Sequence, residues 1–215
     1  MKKEIPKGLY AITAENLSNG RDNIDVVKQM LDGGVKLLQY RDKQKSKIEK
    51  YHQCEIIRKL TRDCGAFFVV NDDIDIAMAV ESDGVHLGQD DLPISEARKI
   101  VGAKMVVGLS THSPKQAKKA QDDGADYIGV GPIFRTFTKT DAVEPVGLEY
   151  LKYCVENITI PKVAIGGIKI ANLPSVAKFN PDNICLVSEI TASPDIKKTI
   201  AQILSLIEPP ARFPR

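Results

Sequence analysis

The chain has 215 residues, is 43% hydrophobic, and carries a net charge of +2 from 30 basic and 28 acidic side chains. That is enough chain, and enough apolar material, for a cored domain. The near-balance of charge argues against a nucleic-acid binder, which shows a strong basic excess or stripe.

The four cysteines (Cys54, Cys64, Cys154 and Cys185) form no Cys-x-x-Cys pair, and there are three histidines. A structural zinc site is not expected, and free thiols of a cytoplasmic protein fit best. The opening "MKKEIPKGLYAIT" has lysines but no small-residue cleavage site and no apolar core of about 7–15 residues, so no signal peptide is expected. Apolar runs such as "AFFVV" fall far short of a membrane span.

In chain order, "GLYAIT" reads as a first strand. "NIDVVKQMLDGG" follows as a helix, with Ile24, Val27, Met30 and Leu31 at helical spacing and a stop at Gly33-Gly34. The second strand, "VKLLQYR", leads to Gln39, Arg41 and Lys43, spaced two apart so that the strand part of the set shares one face. The lysines from Lys43 to Lys50 read as the solvated face of an amphipathic helix. "AFFVVN" is the third strand, followed by Asn71-Asp72-Asp73, and "GVHLG" the fourth, followed by Gln89-Asp90-Asp91. "MVVGLS" ends at Ser110. "SPKQAKKAQDDG" then opens a helix with Ser113 as N-cap and Pro114 at its first position, and stops at Gly124. "YIGVG" is the sixth strand and runs into "GPIFRTFTKTD", which holds Thr136, Thr138 and Lys139. "KVAIGG" ends at Gly166-Gly167, and "NICLVSE" passes through Val187-Ser188.

These strands are near-continuous apolar runs, as in parallel sheets buried on both faces. Eight β-then-α units without a linker imply an α/β fold, a closed (β/α)8 TIM barrel, as a single domain over residues 1–207. The proline-rich tail 208–215 is expected to fray. An open doubly wound sheet fits less well, because no G-x-G-x-x-G follows the first strand.

A barrel carries its site at the C-terminal ends of its strands, and there the polar residues collect. Cations beside carboxylates suggest a polyanionic, phosphorylated substrate with a bridging Mg²⁺. Each piece also has a plainer reading. Arg41 and Lys43 could be a charged surface, Asp72 or Asp73 a helix cap, Asp91 a turn cap, and Gly166-Gly167 a tight turn. Backbone amides after strands seven and eight favour a phosphate cradle. His86, inside strand four, reads as a hydrogen-bonded barrel histidine, and His112 as a polar neighbour of a helix cap.

The stretches "QYRDK", "NDDIDIAMAVESDGVHLGQDDLP", "VGLSTHS", "GADYIGVGPIFRTFTKTDAVEPVGLE", "VAIGGI" and "LVSEI" resemble the thiamine-phosphate synthase family, in family order from strand two to strand eight. The resemblance implies coupling of 4-amino-2-methyl-5-hydroxymethylpyrimidine diphosphate to a thiazole phosphate, or to its carboxylate with loss of CO₂, giving thiamine phosphate and pyrophosphate. By position, it implies that the pyrimidine diphosphate meets Gln39, Arg41, Lys43, Asn71, Ser110 and Lys139. Of these, Arg41, Lys43, Ser110 and Lys139 would carry catalysis. Asp72 and Asp91 would hold Mg²⁺, and the thiazole phosphate would meet Thr136, Thr138, Gly167, Val187 and Ser188. The implied partners are small phosphorylated molecules, with neither nucleic acid nor membrane; a homo-oligomer stays open.

Three positions depart from the family pattern. Arg135 replaces a proline, and Tyr40 and Asp42 stand where Leu and Glu are usual; Tyr40 should point away from the Gln39 face. His112 keeps alive a thiazole tautomerase, a related branch that uses a histidine in this region. A non-catalytic phosphate-ligand regulator is the alternative from another class.

Overall fold

The computed structural model of the chain describes residues 4–136 and 144–207. Eight parallel strands close one barrel in sequence order: β1 (Gly8–Ile12), β2 (Leu37–Tyr40), β3 (Phe67–Asn71), β4 (Gly84–Leu87), β5 (Val106–Thr111), β6 (Tyr127–Val130), β7 (Lys162–Ile165) and β8 (Asn183–Cys185). Closure is made by β1 on β8, with Gly8 beside Asn183 and Tyr10 beside Cys185. Each of the eight apolar runs forms the strand expected of it.

The helices are α1 (Asn23–Asp32), α2 (Lys47–Asp63), α3 (Ile74–Ala79), α4 (Ile94–Val101), α5 (Pro114–Asp122), α6 (Gly147–Asn157), α7 (Leu173–Ala177), α8 (Ser188–Thr191) and α9 (Ile196–Ile207). Ser113 caps α5 by accepting from the Gln116 amide, as its position predicts. Ser46 and Glu49 make a reciprocal capping box on α2. Lys43 and Lys45 precede α2 rather than sitting on it, because the helix begins at the Ser46 cap. Lys45 pairs with Glu15 at 2.7 Å, while Lys47 and Lys50 on the helix pair with Asp75 and Asp73.

The strand period of two divides the apolar residues between two cores. Leu38, Phe68, Val70, Val85, Ile128 and Ile184 face the helices, and burying each such side chain stabilises the fold by about 1.5–3 kcal/mol. The barrel interior is filled by the other parity, including Tyr10, Leu37, Val69, Val106, Tyr127 and Val163. Tyr40 belongs to the outer set, and its hydroxyl donates to Gln53 Oε1 on α2 at 2.9 Å, away from Gln39 as expected.

An aspartate precedes three of the even-numbered strands at the N-terminal face. Asp83, before β4, accepts the Phe68 amide of β3 (2.9 Å), and Asp126, before β6, accepts the Val107 amide of β5 (2.8 Å). Asp182, before β8, accepts the Lys162 amide of β7 (3.1 Å). Each carboxylate is also paired with a cation: Arg58 at 2.8 Å, Arg98 at 2.6 Å, and Lys7 and Lys162 at 2.9 and 3.1 Å. These latches join neighbouring strands at the end of the barrel opposite the polar rim. All four cysteines are free thiols, and only Cys64 is exposed. Among the described residues no helix is long and apolar enough to cross a membrane.

Candidate active site

Continuing the inward parity up each strand brings polar groups to the C-terminal mouth. Beyond Leu37 come Gln39 and Arg41, beyond Val69 comes Asn71, and beyond Val106 comes Ser110. These residues line one cavity of about 650 Å³, within the range of small-molecule sites. Lys43, Asp72, Asp91, Thr136, Gly167, Val187 and Ser188 line it too, so all the expected residues that are described converge there. Thr138 and Lys139 lie outside the described residues.

One end of the cavity is built on β2, β3 and β4. Thr13, just past β1, holds the end of β2. Its Oγ1 donates to the Arg41 carbonyl (3.1 Å) and accepts the Arg41 amide (2.8 Å), fixing the backbone from which the guanidinium extends. Lys43 Nζ is paired with the Asp72 carboxylate. Asp72 takes a left-handed backbone, with φ of 60°, and donates its amide to the His86 carbonyl at 2.9 Å. Asp91 accepts the Gly88 amide at 2.7 Å, closing the turn after β4.

Burial raises the Asp91 carboxyl above its ordinary pKa, and the neighbouring Asp72 charge raises it further, against the Gly88 amide and Lys43, which lower it. Two carboxyls therefore meet in a partly buried place. Asp73 stands at the N-cap position of α3 but makes no side-chain cap bond; it turns away to Lys50. The plainer cap reading thus fails for Asp73, and holds for Asp91 only in that it closes the turn.

Among the described residues no group of three or more potential metal-binding side chains is gathered. A pair of carboxylate oxygens still suits Mg²⁺, which commonly takes one or two carboxylates and leaves its other positions to water and substrate phosphate.

The other end is built on the loops after β6, β7 and β8. Gly166 and Gly167 both have positive φ, 98° and 64°. A Cβ on Gly167 would stand 2.5 Å from the Arg135 carbonyl oxygen, so only glycine lets the two loops approach this closely. The Phe134 amide donates to the Gly166 carbonyl at 3.0 Å, fastening one loop to the other. The glycine pair is thus more than a tight turn. Lys169 Nζ donates to Ser188 Oγ at 2.7 Å and lies 3.5 Å from the Glu189 carboxylate, which puts a cation beside the Ser188 hydroxyl.

The chain as a whole matches known proteins. A family model described as thiamine monophosphate synthase matches residues 9–190. A thiamine-phosphate synthase of Pelotomaculum thermopropionicum is 52% identical over 93% of this chain and 91% of its own. One of Caldicellulosiruptor bescii is 50% identical over the same shares, 93% and 91%. Among solved structures, thiamine phosphate pyrophosphorylase from Pyrococcus furiosus superposes with a TM-score of 0.86 at 35% identity, covering 93% of this chain and 95% of that one.

The chain belongs to the thiamine monophosphate synthase family. Family membership carries thiamine-phosphate synthase activity, a transferase reaction.

In this member of the thiamine monophosphate synthase family, several cavity residues escape a reading of strand ends. Thr13 and Lys169 carry the same signal as the others, polar residues just past an apolar run, and could have been found by it. Tyr10 could not, because an aromatic inside a strand reads as core. His86 is hydrogen-bonded inside the barrel, as expected, and also lines the cavity. His112 lines it as well; its amide donates to Gln116 Oε1 at 2.7 Å, and its Nδ1 lies 2.5 Å from the Gly131 carbonyl oxygen.

Proposed function

We propose that the chain is a Mg²⁺-dependent thiamine-phosphate synthase that couples 4-amino-2-methyl-5-hydroxymethylpyrimidine diphosphate to a thiazole phosphate and releases pyrophosphate. The observation that carries this reading is the division of one cavity into a carboxylate-and-cation end and a glycine-and-serine end, one for each anionic substrate. Asp72 and Asp91 hold the metal, which when bound would neutralise diphosphate charge and so make a better leaving group. Arg41, Lys43 and Lys139 take up the remaining charge, which grows on the leaving oxygen as the carbon–oxygen bond breaks. Contacts that strengthen in this way favour the transition state over the bound substrate.

Gln39, Asn71 and Ser110 orient the pyrimidine. Thr136, Thr138, Gly167, Val187 and Ser188 bind the thiazole phosphate, with Lys169 adding charge beside Ser188. The bond electrons leave with the diphosphate, and the amino-substituted ring spreads the positive charge that remains. The thiazole nitrogen then forms the new bond with its own lone pair, so no general base is needed. What the protein supplies is alignment of two substrates in one cavity. The reading makes this a cytoplasmic enzyme whose partners are small phosphorylated molecules.

The test is incubation of the purified chain with both precursors, with and without Mg²⁺. Thiamine phosphate and pyrophosphate are expected in equal amounts, and chelation of the metal should abolish both. Isomerised thiazole as the only product would make the chain a tautomerase, and binding without turnover would make it a regulator.

A further inference from the structure

A file of hydrogen bonds crosses the barrel interior beneath the pyrimidine end of the cavity. Gln39 Nε2 donates to Tyr10 Oη at 2.8 Å, and Tyr10 Oη lies 3.0 Å from Tyr127 Oη. Tyr127 Oη lies 2.9 Å from His86 Nδ1, and His86 Nε2 lies 2.9 Å from Ser110 Oγ. Five strands contribute one residue each, and Gln39, Tyr10 and Tyr127 are all buried. The sequence makes room for this arrangement: a Cβ on Gly108 would stand 2.2 Å from the Tyr127 ring, and Gly108 is not among the glycines with positive φ. Gly108 is there for the tyrosine rather than for a turn.

The file takes its direction from the face that the Gln39 carboxamide turns to Tyr10, and counting protons for a neutral imidazole carries that direction along it. Burial raises both tyrosine pKa values further above the ordinary phenol value, so each hydroxyl keeps its one proton at neutral pH. Tyr10 accepts from the Gln39 amide and therefore donates to Tyr127. Tyr127, having accepted, donates to His86 Nδ1. A neutral imidazole then carries its single proton on Nε2 and gives it to Ser110 Oγ. The file leaves the Ser110 proton and Gln39 Oε1 unused, and both residues line the cavity. Turning the Gln39 carboxamide over would reverse every bond in the file, and Ser110 would then face the cavity as an acceptor.

We propose that Tyr10, Tyr127 and His86 are positioning residues that fix Ser110 as a donor and Gln39 as an acceptor, so that the site selects its pyrimidine by donor–acceptor pattern. The proposal rests on the reading of this end as the pyrimidine subsite. An aminopyrimidine offers amino N–H groups and bare ring nitrogens, which match an acceptor and a donor. The 4-oxo analogue offers a carbonyl and a ring N–H instead, so it meets the site with like against like. Leaving buried polar groups unpaired is the strong way to reject an analogue. A preference of at least about tenfold for the amino substrate is expected.

The full-length chain labelled with ¹⁵N-histidine gives the direct test, because ring-nitrogen shifts report which nitrogen carries the proton. Assigned by its loss in His86→Gln, the His86 signal should show Nε2–H in the free protein at neutral pH. In Gln39→Glu the carboxylate can only accept, so the file should reverse and the proton should move to Nδ1. Tyr127→Phe keeps the ring and removes only the link, so both tautomers should appear. Its Michaelis constant for the pyrimidine diphosphate should rise about tenfold while that for the thiazole phosphate stays unchanged.

A proton on Nδ1 in the parent, or an Nε2–H signal that persists in both variants, overturns the proposal. Equal kcat/KM for amino and 4-oxo substrates overturns the selection. The spectroscopic arm needs no turnover. A His86 proton that follows Gln39 in a chain making no thiamine phosphate would therefore uphold the relay and overturn the function.

Discussion

Asp72 combines a left-handed backbone with a carboxylate that faces both Lys43 and Asp91. Few residues tolerate that backbone, and asparagine is one of them. Asp72→Asn therefore removes the charge without adding strain. If Asp72 is a metal ligand, the variant should need at least about tenfold more Mg²⁺ for half-maximal rate, because a contact to a charged group is worth ~1.5–3 kcal/mol. The Michaelis constant for the thiazole phosphate, bound at the other end, should not move. A Mg²⁺ titration identical to the parent's would leave Asp72 as no more than the partner of Lys43. Its neighbour Asp73 shows how little adjacency decides. One step along the chain points that carboxylate outward to Lys50 and out of the site.

At the level of elements, the aspartates that precede β4, β6 and β8 do what no strand does alone: each ties its strand to the one before it. Asp83 is the most enclosed, with Arg58 and Asp83 exposed by only 11% and 4% of their side chains. Asp83→Ala would leave a buried guanidinium without its counter-charge and the Phe68 amide without its acceptor. Breaking a buried pair in this way costs about 3–5 kcal/mol, and urea unfolding should show a loss of that size. Replacing Asp122, which pairs with Lys118 on the exposed face of α5, should change stability by less than about 0.5 kcal/mol.

The strands themselves were legible, because burial on both faces makes each a bare apolar run between turn residues. Ser113 and Pro114 made the start of α5 legible in the same local way. The latches were not legible. An aspartate before a strand looks like any turn residue, and its meaning lies in an arginine 25 residues earlier for Asp83 and 28 residues earlier for Asp126.

Across the whole molecule, one residue type works with opposite sign at the two ends of the barrel. The polar rim was legible because it follows the strands at a fixed period. The relay beneath it was not, because it joins residues up to 117 apart through atoms that only closure brings together. At the rim, Asp91 has a raised folded pKa, so ionising it costs stability at neutral pH, and that cost disappears under acid, where the carboxyl is protonated folded and unfolded alike. At the far end Asp182 does the reverse. Burial alone would raise its carboxyl, but Lys7 and the amide and ammonium of Lys162 outweigh burial and hold it below the ordinary 3.8. A carboxyl lowered on folding stabilises fully above its unfolded pKa, and that stability is lost as pH falls through the folded value. Asp182→Asn keeps an acceptor for the Lys162 amide and removes only the charge. The variant should be less stable than the parent at pH 7, and the gap should close as pH drops below about 4. Urea unfolding of both proteins from pH 7 to pH 3 measures it. Because Asp182 lies at the end opposite the cavity, both Michaelis constants should match the parent's. A gap that stayed constant down to pH 3 would mean that the carboxylate's charge does not help close the barrel.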